Sequence, residues 1–303
     1  MIEATSLTKK FDDFTAVDAL SLSVPAGQVM ALLGPNGAGK TTTVRMLAGI
    51  LSPTSGRATV GGLDVARSPG QVRRRVGMLT EVPGLYLRMQ AMEYLDFFGQ
   101  LYGLSAPLRQ ARAAALLSRF GMADAVGRRL SEYSKGMRQK LALIRAMLHD
   151  PQVLLLDEPT SAMDPQSARL VRDAIADLRS EQRAIVLCTH NLAEAEALAD
   201  RIAIIRRGRI VAEGTAAALK SQLLGPPLME LCMSLPLDGL LPDLMQQVHV
   251  VEHGDMWMRY RTENPVVENP RLLRWLADRG ADVVTLSEVA RSLEDVYLRV
   301  VTE

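Results

Sequence analysis

One nine-residue segment, GPNGAGKTT at residues 34–42, constrains the fold of this 303-residue chain more than any other. It follows the apolar run VMALL and leads into the helix-forming run TTTVRMLAGI, so it predicts a strand, a glycine-rich turn and a helix. The spacing fits G-x-x-x-x-G-K-[ST], in which glycines let successive backbone N–H groups point at phosphate oxygens. The predicted phosphate-binding residues are Gly34, Asn36, Gly37, Ala38, Gly39, Lys40, Thr41 and Thr42.

Lys40 and Thr41 give this segment its chemistry. In such a loop the lysine reaches the β and γ phosphates of a nucleoside triphosphate, and the hydroxyl binds Mg²⁺. A glycine-rich turn without a ligand is the alternative reading. The Lys-Thr ending and the flanking strand and helix favour a nucleotide site.

A second strand signal ends in two adjacent acids. In VLLLDEPT, residues 153–160, four aliphatic residues predict a buried strand that ends at Asp157 and Glu158. Successive strand residues face opposite sides, so the two carboxylates can have separate tasks. We expect Asp157 to hold the hydration shell of Mg²⁺ and Glu158 to accept a proton from an attacking water.

Asp164 and His190 are two further candidates. Asp164 precedes a proline in SAMDPQS and would by itself be a helix cap. His190 ends the strand signal AIVLCTH, and a lone histidine there is usually a structural or polar residue. Because nucleotides bind at the carboxyl ends of parallel strands, we expect His190 to contact the γ phosphate.

Composition excludes several classes of protein. A formal charge of +1 and a pI near 7.8 disfavour a nucleic-acid binder. No apolar run reaches the roughly 18 residues that span a bilayer, and the start MIEATSLTKKF lacks the order of a signal peptide, so a cytoplasmic location is expected. Two scattered cysteines, Cys188 and Cys232, are predicted to be reduced and structural.

The chain divides into two predicted domains. Apolar strand signals alternate with helical patterns up to Gly214, which predicts a largely parallel sheet covered by helices. A helical insertion is expected from about 88 to 150. The composition then changes to a proline-punctuated segment, so we place one domain at 1–221 and a second, read as strand, helix and strand, at 222–303.

The motifs GPNGAGKTT, YSKGMRQK, VLLLDEPT, SAMD and THN, in this order, closely resemble the ATP-binding subunit of ATP-binding cassette (ABC) transporters over residues 1 to about 220. YSKGMRQK before the Asp-Glu strand separates this family from kinases and GTPases. The resemblance implies an α/β P-loop NTPase cassette with a mostly parallel sheet, an antiparallel β subdomain and a helical insertion, plus a small α+β C-terminal domain. It also implies an ATPase that uses ATP and Mg²⁺, with catalytic residues Glu158, His190 and Lys40.

The resemblance further implies a head-to-tail homodimer that buries two ATP molecules. Ser134 and Gly136 of YSKGMRQK would contact the nucleotide held by the other copy, and Asp164 would cross the interface beside them. The motif departs from the common LSGGQ at Tyr133, Lys135 and Met137. Its serine and second glycine are retained.

Two other assignments are carried over from the family. Phe11 stands where the family has an aromatic ring that stacks on adenine, with Phe14 as the competing candidate. Glu81 stands where the family typically has a glutamine that contacts Mg²⁺ and water. A carboxylate can serve as a Mg²⁺ ligand, so we expect Glu81 to remain a metal contact, although it adds negative charge beside Glu158.

Aromatic residues recur at helical spacing just after Glu81. They either pack the core of the insertion or form a groove that receives a short helix of a membrane subunit, and one helix can do both. Without a spanning segment of its own, the chain would drive separate transmembrane permease subunits from the cytoplasmic face of the inner membrane. The residues of this aromatic run are Tyr94, Phe97, Phe98, Leu101 and Tyr102.

The segments EYLDFFGQLYGL and SLEDVYLRVV look most like bacterial exporter ATPases of the drug-resistance type. An importer motor and a soluble cassette ATPase that acts on ribosomes or nucleic acid are the alternatives. The C-terminal domain is expected to support dimerisation or regulation. Its His249 and His253 alternate as in a strand and have no acid or cysteine cluster nearby in sequence, which argues against a metal site.

Overall fold

The computed structural model describes residues 1–161, 163–180, 182–237 and 239–302, so position 162 of the SAMD motif lies outside the described part. The chain forms two compact units, Met1–Ala216 and Ala217–Glu303. The boundary predicted after residue 221 falls inside the helix Ala216–Leu224, which begins at the division between the units.

The strands, in chain order, are β1 (Ile2–Phe11), β2 (Phe14–Val24), β3 (Val29–Leu33), β4 (Ser55–Val60), β5 (Leu63–Asp64), β6 (Val76–Leu79), β7 (Val153–Asp157), β8 (Ala184–Thr189), β9 (Arg201–Arg206), β10 (Arg209–Gly214), β11 (Leu228–Met233), β12 (His249–His253), β13 (Trp257–Arg261) and β14 (Val283–Glu288).

The α-helices are α1 (Lys40–Leu47), α2 (Pro69–Arg75), α3 (Ala91–Leu101), α4 (Ala106–Arg119), α5 (Lys135–Met147), α6 (Pro165–Ser180), α7 (Leu192–Leu198), α8 (Ala216–Leu224), α9 (Leu241–Gln247), α10 (Pro265–Ala277) and α11 (Leu293–Thr302), with short 3-10 helices at Ala123–Ala125 and Leu130–Glu132. Within the described residues, no helix is long and apolar enough to cross a membrane.

The central sheet of the first unit has the order β10-β9-β3-β8-β7-β6 and is parallel except for β10. Every residue of β3, β7 and β8 is buried, as expected for strands that are covered on both faces. Each fully buried aliphatic side chain here contributes about 1.5–3 kcal/mol. Because these three strands are neighbours and run in one direction, their carboxyl ends bring residues 34, 158 and 190 to one edge.

A second, antiparallel sheet has the order β2-β1-β4-β5. Strands β1 and β2 form a hairpin in which Phe11 pairs with Phe14 across a two-residue turn. Asp12 in this turn has φ +48°, the left-handed conformation that aspartate tolerates better than most residues. The hairpin therefore places both phenylalanines at the end of this sheet.

The chain between β6 and β7 is helical, and it contains α3, α4, α5 and both 3-10 helices. Tyr94, Leu117 and Phe120 are buried in an apolar cluster that also includes Leu141 and Leu154. The cluster joins this helical segment to one face of the central sheet. It fixes the position of α5, the helix that begins directly after Ser134.

The second unit contains a four-stranded antiparallel sheet of order β12-β13-β11-β14. The expected order of strand, helix and strand is incomplete. VHVVEHGDMWMRYR, residues 248–261, is the predicted first strand, but it forms a hairpin because the backbone turns at Gly254, whose N–H donates to the carbonyl of Trp257. The additional strand β11 buries alternate residues, a pattern that the neighbouring prolines obscured in the sequence. Residues of the sheet, α9 and α10 that form the core include Met229, Leu231, Leu244, Met258, Tyr260, Leu272 and Leu276.

Candidate functional site

The loop between β3 and α1 can only be built from glycine at two positions. A Cβ at Gly34 would lie 2.3 Å from the carbonyl oxygen of Ile205. Gly39 has φ +108°, and a Cβ there would lie 2.6 Å from the carbonyl oxygen of Ala16. The loop therefore packs closely against the backbone at Ile205 and Ala16, and its residues 36–42 line one cavity.

This cavity has a volume of about 350 Å³. It contains most of the residues that the sequence predicts to bind nucleotide and metal, although they come from β2, the loop, α1 and three strand ends. Its lining residues are Phe14, Ala16, Asn36, Gly37, Ala38, Gly39, Lys40, Thr41, Thr42, Glu81, Asp157, Glu158 and His190.

Lys40 is the only basic side chain apart from His190 among these lining residues. It is buried, and its Nζ donates to the carbonyl oxygens of Gly34 at 2.6 Å and Pro35 at 3.1 Å. The ammonium group is therefore held inside the loop and close to the backbone that faces the cavity. An anionic group in the cavity would find this positive charge already in place.

Thr41 and Asp157 come together from distant parts of the chain. The Thr41 hydroxyl donates to Oδ2 of Asp157 at 2.8 Å. Burial raises the pKa of Asp157, the hydrogen bond from Thr41 opposes this, and the nearby carboxylates of Glu158 and Glu81 raise it further. A divalent cation beside Thr41 and Asp157 would offset this crowding of negative charge.

The oxygen atoms of Thr41 and Asp157 suit a hard cation that is bound by protein oxygens and phosphate oxygens together. Among the described residues, no three His, Cys, Asp or Glu side chains are arranged to hold a metal ion by themselves. Thr41 and Asp157 provide two oxygens, which is how Mg²⁺ is commonly held together with phosphate oxygens and waters. Glu81 also lines the cavity, from the loop after β6.

Glu158 and His190 form a pair at the edge of the cavity. Oε1 of Glu158 accepts a hydrogen bond from the backbone N–H of His190, with an N–O distance of 3.0 Å, and lies 2.7 Å from Nδ1 of the His190 ring. An ionised carboxylate only accepts hydrogen bonds, so Nδ1 is the donor in this contact when Glu158 is ionised, and Nε2 of a neutral ring can then accept one. The Glu158 side chain is 10% exposed and that of His190 is 67% exposed, so the pair is open to the cavity from one side.

Glu194 is a buried residue that sequence reasoning missed, and it binds the chain next to both Glu158 and His190. Glu194, only 4% exposed, accepts hydrogen bonds from the hydroxyls of Thr160 at 2.6 Å and Thr189 at 2.8 Å. Thr160 follows Glu158 by two residues, and Thr189 precedes His190. The sequence signal was a glutamate at the third position of a helix after Asn191, whose side chain caps that helix by accepting from the Glu194 N–H.

Ser134, Gly136 and Asp164 do not line the cavity of their own chain. Ser134 is exposed and caps α5, with its Oγ accepting from the N–H of Met137 at 3.2 Å. Asp164 caps α6 in the same way, and the hydrogen bond from the Ser167 N–H lowers the pKa of Asp164. Their contact with nucleotide held by another copy stays a prediction.

Phe14, rather than Phe11, lines the cavity. The Phe14 side chain is 63% exposed. Phe11 is 43% exposed, and the ammonium group of Lys9 lies 5.0 Å from its ring centroid. Phe14 thus lies in the same cavity as the glycine-rich loop at residues 34–42, which we call the phosphate loop. The assignment of Phe11 to adenine stays a prediction.

The aromatic run after Glu81 contributes to both a core and a groove. Tyr94 is fully buried, and its hydroxyl oxygen accepts from Arg145 at 2.9 Å. Phe98 and Tyr102 instead line a separate cavity of about 170 Å³, whereas Phe97 and Leu101 are exposed. We call this cavity the helical-segment groove; its lining residues are Ala48, Ile50, Arg73, Val76, Met78, Phe98, Tyr102, Arg145 and Ala146.

Comparison with known proteins agrees with this geometry. Residues 17–161 match the ABC transporter family. The chain is 42% identical over 224 residues to the ABC transporter ATP-binding protein NatA of Bacillus subtilis, covering 72% of this chain and 91% of the relative. It is 36% identical over 305 residues to the daunorubicin resistance ATP-binding protein DrrA2 of Streptomyces coeruleorubidus, covering 98% and 94%.

A solved structure described as the ATP-binding subunit of an ABC transporter superposes with a TM-score of 0.70 at 28% identity, covering 81% of this chain and 99% of that chain. The chain therefore belongs to the ABC transporter ATP-binding proteins, the subunits that hydrolyse ATP to drive transport.

Proposed function

We propose that two copies of this chain hydrolyse ATP in shared sites and thereby drive an exporter whose transmembrane subunits are separate polypeptides. The contact that carries the proposal is the 2.7 Å pair of Glu158 and His190 at the edge of the phosphate loop. It joins a base to an orienting group at the place where a γ phosphate would end. Phosphoryl transfer depends mainly on such positioning and on charge stabilisation.

In this proposal the phosphate loop and Lys40 hold the triphosphate, while Thr41 and Asp157 hold Mg²⁺. When bound, the metal neutralises charge on the phosphate oxygens. Glu81 is a further proposed metal contact, in support of which its carboxylate lines the same cavity. Replacement of Glu81 by alanine should then change the Mg²⁺ dependence of ATP turnover.

Glu158 is the proposed general base. Its Oε1 is held by two groups of His190, which leaves Oε2 available for the proton of an attacking water. With the His190 ring neutral and Nδ1 protonated, Nε2 can accept a second hydrogen bond from that water. The two residues together would fix the direction of attack.

A second copy would complete the site. The α5 helix begins at Lys135 with the exposed Ser134 as its N-cap, and its first turn contains no acidic residue. Its N–H groups are therefore suited to an anion such as the γ phosphate held by the other copy. ATP between two copies would act as the adhesive of a homodimer, and hydrolysis would weaken the contact.

The helical-segment groove is the proposed docking site of a membrane subunit. Its apolar lining fits one face of a short helix, and two arginines, Arg73 and Arg145, lie at this lining. Among the described residues neither arginine pairs with a carboxylate, since Arg73 donates to the Gly49 carbonyl and Arg145 to the Tyr94 hydroxyl. An inserted helix with an acidic residue would complement them.

Export is proposed because the relative DrrA2, which matches over nearly the whole chain, is named for daunorubicin resistance. The chain would be a peripheral protein at the cytoplasmic face of the inner membrane. An importer motor would differ in its membrane partner. A soluble ATPase acting on ribosomes or nucleic acid is disfavoured by the near-zero net charge. A transporter subunit should co-purify with a membrane protein from detergent-solubilised membranes, whereas such a soluble ATPase should not.

The direct test of the base is Glu158→Gln. This variant should bind ATP with near-normal affinity and lose at least ~100-fold in kcat, since general base catalysis contributes about 10²–10⁴. Lys40→Ala is the contrasting variant, because it should weaken nucleotide binding itself. Rapid hydrolysis by Glu158→Gln in a steady-state phosphate-release assay would contradict the assignment.

A further inference from the structure

Besides its side-chain contacts with His190, Glu158 has a backbone contact with a side chain that does not line the cavity. Gln139, on α5 and only 4% exposed, donates from its side-chain Nε2 to the backbone carbonyl oxygen of Glu158 at 3.1 Å. The two residues come from elements that are separated by strand β7 and its preceding loop. This hydrogen bond is a direct link between α5 and the candidate base.

The backbone at Glu158 needs such a link. Its φ of +51° lies in the left-handed region, where residues with a side chain are strained. The Glu158 N–H donates to the carbonyl of Cys188 at 2.9 Å, and its carbonyl accepts from the N–H of Ser161 at 3.2 Å as well as from Gln139. Of these contacts, the one from Gln139 is the only one made by a side chain.

We infer that Gln139 is a positioning residue, which holds Glu158 in the strained conformation that presents its carboxylate to the nucleotide cavity. The inference rests on the proposed function, in which Glu158 is the base. Because Gln139 lies in α5, five residues after its N-cap Ser134, the placement of the base depends on the placement of α5. Neither nucleotide nor metal contacts are assigned to Gln139.

The test uses the purified full-length chain with Gln139→Met, which keeps the length of the side chain but removes its N–H donor. We expect kcat for ATP hydrolysis to fall about tenfold or more, with KM for ATP changed less than about twofold. ATP-bound dimers should then accumulate in size-exclusion chromatography, as they should for Glu158→Gln. A residue that only supports the fold would not produce this combination.

Gln100→Met is the matched control, because Gln100 donates to Asp96 on an exposed face of α3 and does not line the cavity. It should retain wild-type kinetics. Wild-type kcat in Gln139→Met would overturn the inference, and so would a lower melting temperature accompanied by loss of dimers. Normal hydrolysis by Glu158→Gln would instead remove the proposed function itself, so the two failures are distinguishable.

Discussion

Glu194→Ala should destabilise the part of the first unit next to the candidate site, since it removes one buried carboxylate that binds Thr160 after β7 and Thr189 at the end of β8. In the wild type, Glu194 is 4% exposed and accepts hydrogen bonds from the hydroxyls of Thr160 at 2.6 Å and Thr189 at 2.8 Å. A hydrogen bond to a charged group contributes about 1.5–3 kcal/mol. Loss of both bonds would cost about 3–6 kcal/mol, and water entering the vacated space would recover part, so we expect a loss of about 3 kcal/mol.

The assay is urea unfolding followed by far-UV circular dichroism, with analysis of the transition of the first unit. Glu194→Gln should lose less, about 1–2 kcal/mol, because an amide keeps the volume and one acceptor but loses the charge. Asp124→Ala is the control from the same unit. Its side chain is exposed, so the free energy of unfolding should change by less than about 0.5 kcal/mol.

A double-mutant cycle identifies the partner. Thr160→Val alone should cost about 1–2 kcal/mol, since it removes the donor and leaves the carboxylate of Glu194 with one bond fewer. In the Glu194→Ala background the same change should cost much less, which gives a coupling of about 1 kcal/mol or more. Equal costs in the two backgrounds, or a Glu194→Ala protein as stable as the wild type, would refute this reasoning.

The other predictions concern pH, adenine binding and the membrane partner. Burial lowers the pKa of His149 to about 4 from 6.5, so protonation of this ring opposes folding. The free energy of unfolding is therefore highest above about pH 6.5 and falls as pH decreases toward 4. Between about pH 7 and about pH 5, the free energy of unfolding of the wild type in urea titrations should fall by about 2 kcal/mol more than that of His149→Gln. If Phe14 is the adenine contact, Phe14→Ala should weaken ATP binding several-fold in calorimetry and Phe11→Ala should not, whereas the opposite order would return the assignment to Phe11. Arg145→Glu should reduce co-purification with the membrane subunit while ATP hydrolysis by the isolated chain persists, and undiminished co-purification would speak against the groove.

Much of the geometry of the candidate site followed from the sequence, because most of its predicted residues stand at the ends of recognisable apolar strands. The loop at residues 34–42, Asp157 with Glu158, and His190 each end a buried strand, and neighbouring parallel strands bring their ends to one edge. The contact between Thr41 and Asp157 and that between Glu158 and His190 are therefore direct consequences of strand order.

The residues that hold these groups in place were harder to find. Gln139 and Glu194 lie within amphipathic helical patterns, where a single polar residue gives no sign of whether it faces solvent or a buried loop. Their partners are a backbone carbonyl and two hydroxyls, groups that occur throughout any sequence. Only the packing of α5 and α7 against the sheet ends identifies them.

Which of Phe11 and Phe14 lines the cavity depended on geometry in the same way. The two residues face each other across a tight hairpin turn, so sequence distance from the phosphate loop hardly distinguishes them. In the second unit, strand β11 escaped detection because its alternating pattern is short and lies between proline-containing segments. Local signals were weakest where tertiary contacts decide the conformation.

The central claim is that ATP completes a site between two copies of this chain. The most direct measurement is the molar mass of Glu158→Gln by size-exclusion chromatography with light scattering, with saturating ATP and Mg²⁺, with ADP, and without nucleotide. We predict a dimer with ATP and monomers otherwise, and Ser134→Arg in the same background should prevent the dimer. A Glu158→Gln protein that binds ATP but remains monomeric, also with its membrane subunit present, would contradict the account.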